Sequence, residues 1–325
     1  MPIDVHAHVY PTDYLDLLEV RGITTTGSHR GLGADDTDAD LAARFALMDE
    51  AGVDLQVLSA APLFGYLTDR RQAVAATRMI NDRYAELVRR HPGRFAAFAT
   101  VPLPDIDDAL AELSRALGEL GMVGVTMGTT VAGVPLTDPA MAPFWRELDR
   151  RAALVFLHPT GDCAGSPQID GPLRWLVGAP VEDTIAAAKL ITEGHLVRYP
   201  RVRVINSHFG GALPMLLERW DNLSRLGGAE PEIMPSEAAR RMWYDTVSHG
   251  SATALLAGVR AVGADRLLMG SDFPYQTGSV YTRGAVGFIR ETLPDDDARK
   301  ILDGSAAELL APGTKLPATP SAETA

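Results

Sequence analysis

The sequence predicts an α/β fold: a (β/α)8 TIM barrel in a single domain, with an insertion after the first strand. Two observations carry this. Eight short runs rich in Val, Ile, Leu and Ala recur along the chain, separated by amphipathic helical stretches. Such alternation builds a parallel sheet, and a count of eight favours closure over an open doubly wound sheet. In addition, four of the runs end in histidine or aspartate, at the ends where barrel strands converge on one site.

The strand candidates are Ile3–His8, Leu55–Ala60, Phe95–Val101, Val123–Met127, Leu154–His158, Val202–His208, Met242–Val247 and Arg266–Gly270. Helical patterns fill the intervals: Asp38–Ala51, Asp69–His91, Ile106–Leu120, Asp138–Arg151, Pro180–Tyr199, Gly211–Leu226, Ser251–Val262 and Thr282–Leu293. In the second, Ile80, Tyr84, Leu87 and Val88 share one face at helical spacing. Thr37 or Asp38 caps the first helix, and Asp138 followed by Pro139 opens the fourth. Residues 10–37, rich in Gly, Thr and Asp, are expected to form a lid or substrate-contacting loop. The barrel is expected to span 1–310, and the Pro/Thr/Ala-rich residues 311–325 to be a disordered tail.

Composition narrows the function. The chain has 325 residues, 46% hydrophobic and 22% charged, as in an ordinary globular protein. Cys163 is the single cysteine, so no intrachain disulfide can form, which agrees with a cytoplasmic location. The start MPIDVHAHVY has no basic, then apolar, leader pattern. No apolar run approaches the ~20 residues that span a bilayer. The net charge of -12 disfavours nucleic acid and anionic membranes as partners. A small anionic substrate stays possible, because a few arginines can reverse the field inside a pocket.

The chemistry-bearing residues begin with His6-Ala7-His8. Residues i and i+2 of a strand point to one side, so both imidazoles can face one point at the barrel mouth. Imidazole is the commonest side-chain metal ligand. A lone His-x-His is also what two ordinary histidines near a terminus look like. His158 closes Leu154–Leu157, His208 closes Val204–Ser207, and Asp272 follows Leu267–Ser271. Each alone could be a capping or turn residue. Together they give three histidines and an aspartate for a metal, with one histidine left over as a base.

The set His6-Ala7-His8, His158-Pro159, Ser207-His208-Phe209-Gly210-Gly211 and Gly270-Ser271-Asp272-Phe273-Pro274, in this order, resembles the amidohydrolase superfamily. More narrowly it is similar to the branch holding aminocarboxymuconate semialdehyde decarboxylase and the salicylate-type and resorcylate-type decarboxylases. The likeness covers residues 1–310 and extends to Arg44, Gly124–Gly128, Trp175–Pro180 and Tyr244-Asp245-Thr246. The resemblance implies one divalent metal, zinc or alternatively manganese, on His6, His8, His158 and Asp272. It implies His208 as the catalytic histidine, with Asp272 an alternative proton donor. It assigns Arg44 to a substrate carboxylate, Trp175 to the pocket wall, and Arg219 to a further substrate contact across a dimer interface. Arg44 could equally be a solvated helix charge and Trp175 plain packing. Binuclear relatives bridge their metals with a lysine on the fourth strand; here that strand reads Val123-Gly124-Val125-Thr126-Met127, and lysines occur only at 189, 300 and 315. One metal is therefore expected. Relatives of this kind are mostly homodimers or homotetramers.

Two segments depart from the relatives. Thr129-Thr130 stand where the aminocarboxymuconate enzyme carries a histidine, and the lid residues 10–36 match no recognised pattern. The expected reaction is metal-dependent, non-oxidative decarboxylation of a small aromatic or unsaturated carboxylic acid. The alternative is hydrolysis or hydration of a lactone, amide or enol by the same ligand set. A third possibility is a barrel that binds metal and has lost catalysis.

Overall fold

The computed structural model describes residues 1–161, 166–226 and 232–310; Cys163 and the expected tail 311–325 fall outside them. Strands β1 (Ile3–His8), β2 (Leu55–Ser59), β3 (Phe95–Ala99) and β4 (Gly124–Gly128) lead into a small hairpin, β5 (Thr130–Val131) and β6 (Val134–Pro135). Then follow β7 (Leu154–His158), β8 (Arg203–Asn206), β9 (Trp243–Asp245) and β10 (Leu267–Leu268). The eight barrel strands lie in the order β1-β2-β3-β4-β7-β8-β9-β10. All their pairings are parallel. Past β10 the chain returns to β1: Val5 N donates to Met269 O at 2.9 Å, and His8 N to Phe273 O at 2.8 Å. These bonds close the expected barrel.

The interior is packed, as barrels of this size require. Ile3, Val5, Leu55, Val57, Ala96, Phe98, Leu154, Phe156, Ile205 and Leu268 form one cluster inside the strands. Ala306, Leu309 and Leu310, from a C-terminal helix at Ser305–Leu310, join it. The outer faces of the strands belong to a second cluster shared with the helices.

The helical expectations hold in outline. Helix α1 spans Thr12–Val20, α2 Asp38–Ala51, α3 Arg70–Arg90, α4 Ile106–Gly118 and α5 Ala142–Arg150. Thr37 Oγ1 accepts from Asp40 N, and the Asp138 side chain caps a short turn ahead of α5. The expected helix Pro180–Tyr199 is two helices, α6 (Ala179–Thr192) and α7 (His195–Arg198), because Gly194 takes φ +69° between them. α8 (Leu213–Leu226), α9 (Pro235–Ala239) and α10 (Ala252–Val262) follow. Among the described residues, no helix is long and apolar enough to cross a membrane.

The insertion after β1 differs from the loop expected there. α1 buries Tyr14, Leu15 and Leu18, a helical face too short to stand out in the sequence. Arg83 of α3 anchors it, donating to Asp13 and to Asp36 at 2.6 Å each.

Strand β1 also holds an irregularity that no periodicity revealed. Its pairing with β2 runs Asp4↔Gln56 and then Ala7↔Leu58, so β1 carries one extra residue there. Ile3 and Val5 face the interior, while Ala7 and Val9 belong to the outer cluster. The bulge thus turns His6 and His8 inward, the re-aiming that bulges beside active sites supply.

Candidate metal centre

His6, His8, His158 and Asp272 meet at the C-terminal mouth of the barrel, their ligand atoms all within 4.8 Å of one another. His6 Nε2 and His8 Nε2 each stand 3.2 Å from Asp272 Oδ1. The rings of His6 and His158 are 5.0 Å apart, and His6 packs edge-on against interior Phe156.

Each imidazole is fixed by a second bond from its other nitrogen. His6 Nδ1–H donates to Asp245 Oδ2 at 2.8 Å. His8 Nδ1–H donates to Ser59 O at 3.2 Å, and His158 Nδ1–H to Pro159 O at 2.8 Å. Carboxylate and carbonyl partners only accept, so each of these Nδ1 atoms carries a proton, and Nε2 is the nitrogen each ring turns toward the cluster and can offer to a metal. His6 Nε2 is buried with no hydrogen-bond partner among the described residues, as a metal-binding nitrogen would be.

The electrostatics suit a cation. Burial pushes Asp272 upward, but His6 and His8 hold its carboxyl well below the usual range. Burial, reinforced by His6 and His8, holds His158 well below the usual imidazole range. Burial also works against protonating His6, but Asp245 and Asp272 overcome it and raise His6 to about 10. An ionised buried carboxylate among three imidazoles is a donor set of the type that holds one divalent metal.

His208 stands beside the four ligands, its ring 5.2 Å from His6 and 5.7 Å from His158. Its Nδ1–H donates to Asp183 Oδ2 at 2.9 Å, and its backbone N donates to Asp245 Oδ1 at 2.9 Å. The side chain is 18% exposed, whereas His6 and His8 are sealed. Burial opposes protonation of His208, but Asp183 prevails and raises it. Burial lifts Asp183 to about 6 against the pull of His208. His208 and Phe209 both take positive φ, at 51° and 58°. For a bulky Phe this is a strained conformation, tolerated at a site that needs the neighbouring ring aimed inward.

The other expected site residues stand elsewhere. Arg44 is 1% exposed and lies on the outer side of β1. Its Nη2 donates to His8 O, its Nη1 donates to Gln56 Oε1 at 3.2 Å, and its guanidinium stacks 4.1 Å from the Phe273 ring centroid. The expectation of a solvated charge fails, and the guanidinium is spent on the barrel wall. Trp175 is 45% exposed and closes over Gly161, where a Cβ would lie 3.0 Å from the indole. It covers the turn after His158. Arg219 is exposed on α8, and no described contact joins it to the metal cluster.

Sequence reasoning missed Asp183 and Ser59, and gave no role to Asp245 although it flagged the segment. It also missed two residues near His8. His29 Nδ1 is hydrogen-bonded to Tyr275 Oη, and Tyr275 Oη lies 3.2 Å from Tyr10 Oη. A histidine in the insertion and a tyrosine three residues past Asp272 gave no linear signal that they would meet.

Three imidazoles and a carboxylate converging at the mouth of a closed parallel barrel, with a separate acid–base pair alongside, define a metal-dependent barrel enzyme. The chain belongs to the amidohydrolase family, whose profile matches residues 3–311. It is 28% identical to the 2-amino-3-carboxymuconate-6-semialdehyde decarboxylase of Dictyostelium discoideum, over 95% of this chain and 91% of that one. It is 31% identical to the gamma-resorcylate decarboxylase of Rhizobium sp. (strain MTP-10005), over 76% and 79% of the two chains. The crystal structure of 2,6-dihydroxybenzoate decarboxylase from Rhizobium matches with a TM-score of 0.80 at 25% identity, covering 95% of this chain and 98% of that one. Within the superfamily the chain falls in the branch of these decarboxylases.

Proposed function

We propose that this carboxy-lyase removes CO2 without oxidation from a small carboxylic acid whose carboxylate sits on an aromatic or conjugated carbon. The observation that carries the reading is the division of labour at the mouth. Four residues form a closed ligand set, and His208 stands beside them, held by Asp183 and left out of the set. The relatives that share the branch supply the reaction class.

A divalent ion on His6, His8, His158 and Asp272, zinc or alternatively manganese, would supply Lewis-acid polarisation of a substrate oxygen. The chain's own residues do the rest. Asp183 holds His208 in one tautomer and stabilises its protonated form, leaving Nε2 to face the substrate. His208 Nε2 delivers a proton to the carbon that bears the carboxylate. The C–C bond then breaks, its electron pair returns to the conjugated system, and CO2 leaves. Asp245 keeps His6 and the His208 backbone in fixed relation through both of its oxygens.

A homo-oligomer fits the surface. Trp175, Leu176 and Val177 lead into α6, and Met215, Leu223 and Leu226 on α8 are all at least 45% exposed. Monomers rarely leave this much apolar surface uncovered.

The test is elemental analysis of the purified protein, paired with CO2 release from ortho-hydroxybenzoates and muconate-type acids. About one metal per chain with CO2 release, lost in His208→Ala, is the expected result. One metal with ring opening or water addition instead would replace decarboxylation by hydrolysis or hydration.

A further inference from the structure

Among the loops that follow the strands at the barrel mouth lies a cavity of about 320 Å³. Its walls come from three places: Leu18 and Ile23 of the insertion, Phe64 and Tyr66 after β2, and Thr130 in the hairpin after β4. Thr160, two residues past His158, closes it on the metal side. Among the described residues no lining side chain carries a formal charge except through ionisation of Tyr66, whose burial pushes it far above neutral pH.

The cavity borders the inner layer of the barrel. Val125 and Met127 belong to the outer cluster, so Gly124, Thr126 and Gly128 face inward by strand alternation. Gly128 pairs directly with His158. A Cβ on Gly128 would lie 2.9 Å from Thr160 Cγ2 and 3.4 Å from Phe64 Cε2. The floor of the cavity therefore rests on the same layer of the barrel as a metal ligand. Tyr66 Oη accepts from Gly128 N at 3.1 Å and stacks on Phe64 with centroids 5.2 Å apart, which stiffens that floor.

Two segments far apart in the chain, the insertion after β1 and the hairpin after β4, meet here. The insertion supplies Leu18 and Ile23, and the hairpin supplies Thr130, Ala132 and Gly133. We propose that this cavity is an uncharged subsite that takes an uncharged alkyl or aryl substituent of the acid, and that it sets substrate choice. Its lining is uncharged, with Leu18, Ile23, Leu63 and Phe64 supplying hydrocarbon beside the hydroxyls of Thr25, Thr130 and Thr160, so it accepts an uncharged group and disfavours a second carboxylate, which would be buried without a charged partner. The inference rests on the proposed acid-binding metal centre, and adds to it which acids are preferred.

The test is equilibrium binding to the zinc-reconstituted protein, using salicylate and its 3-, 4-, 5- and 6-propyl derivatives. At least one isomer is expected to bind tenfold or more tightly than salicylate. That ratio should fall to near one in Ile23→Asp and in Thr130→Trp, which charge or fill the cavity. Thr25→Asp, at an exposed lining position, serves if either variant fails to fold. Salicylate binding with no gain for any isomer, or a gain that survives these variants, overturns the subsite while leaving the decarboxylase reading intact. Failure of salicylate and every isomer to bind would overturn the acid-binding metal centre, and the subsite with it.

Discussion

Arg44 donates through Nη2 to the backbone carbonyl of His8, from behind the strand that carries two metal ligands. The same guanidinium lies 4.1 Å from the ring of Phe273, the residue after Asp272. One buried cation thus braces both segments of the metal site. Arg44→Met should lower unfolding stability by about 2–4 kcal/mol, because it strips partners from buried polar groups. The KM of the folded fraction should change by no more than a few-fold. Urea unfolding beside steady-state kinetics decides this. A hundredfold rise in KM at unchanged stability would place Arg44 on the substrate after all.

Asp4 ties the same two segments by hydrogen bonds. It accepts from His6 N at 3.1 Å, Gln56 Nε2 at 2.9 Å, Ser271 N at 3.0 Å and Ser271 Oγ at 2.6 Å. Asp4→Asn places donors against donors and loosens the bulge that aims His6. Metal affinity, measured by chelator competition, should drop by about 10- to 100-fold. Unaltered affinity in a folded variant would show that the bulge is set by other contacts.

Asp183 should matter to turnover and not to metal. In Asp183→Asn the imidazolium of His208 loses its counter-charge and its tautomer is no longer fixed. A fall in kcat of about 10²-fold is expected, on the scale of general acid–base catalysis, with metal content unchanged. Loss of metal along with activity would instead make Asp183 part of the scaffold of the ligand cluster.

His195, far along the chain from the metal ligands, gives a pH prediction. Both its ring nitrogens are buried with no hydrogen-bond partner among the described residues, and the ring packs 4.8 Å from Trp145. Burial, helped by Arg198, lowers it to about 4. The unfolded chain therefore takes up this proton first. The stability it contributes is complete above about pH 6.5 and is lost as pH falls through 4. Between pH 7.5 and 4.5 this group should account for about 2–3 kcal/mol of lost stability. Denaturant unfolding of His195→Phe should show an acid-side loss smaller by that amount; an identical loss would rule this out.

The barrel was legible because its strands are apolar runs separated by helical periodicity, both of them local signals. The four ligands and the spare base were legible because His6, His8, His158, Asp272 and His208 are polar residues at the ends of apolar strands, an exception each local window exposes. The helix at Thr12–Val20 was not, because its apolar face is short and takes its meaning from the helix it packs against.

What the sequence by itself determined was the class of fold, the ligand set and the spare base. The tertiary structure decided how those residues are aimed. The bulge in β1, the Asp245 bond to His6, the Asp183 bond to His208 and the placement of Arg44 behind the wall all join distant parts of the chain. His6 and Asp245 are 239 residues apart. Periodicity reports which side of its own element a residue faces. Only the closed barrel determines what it meets there.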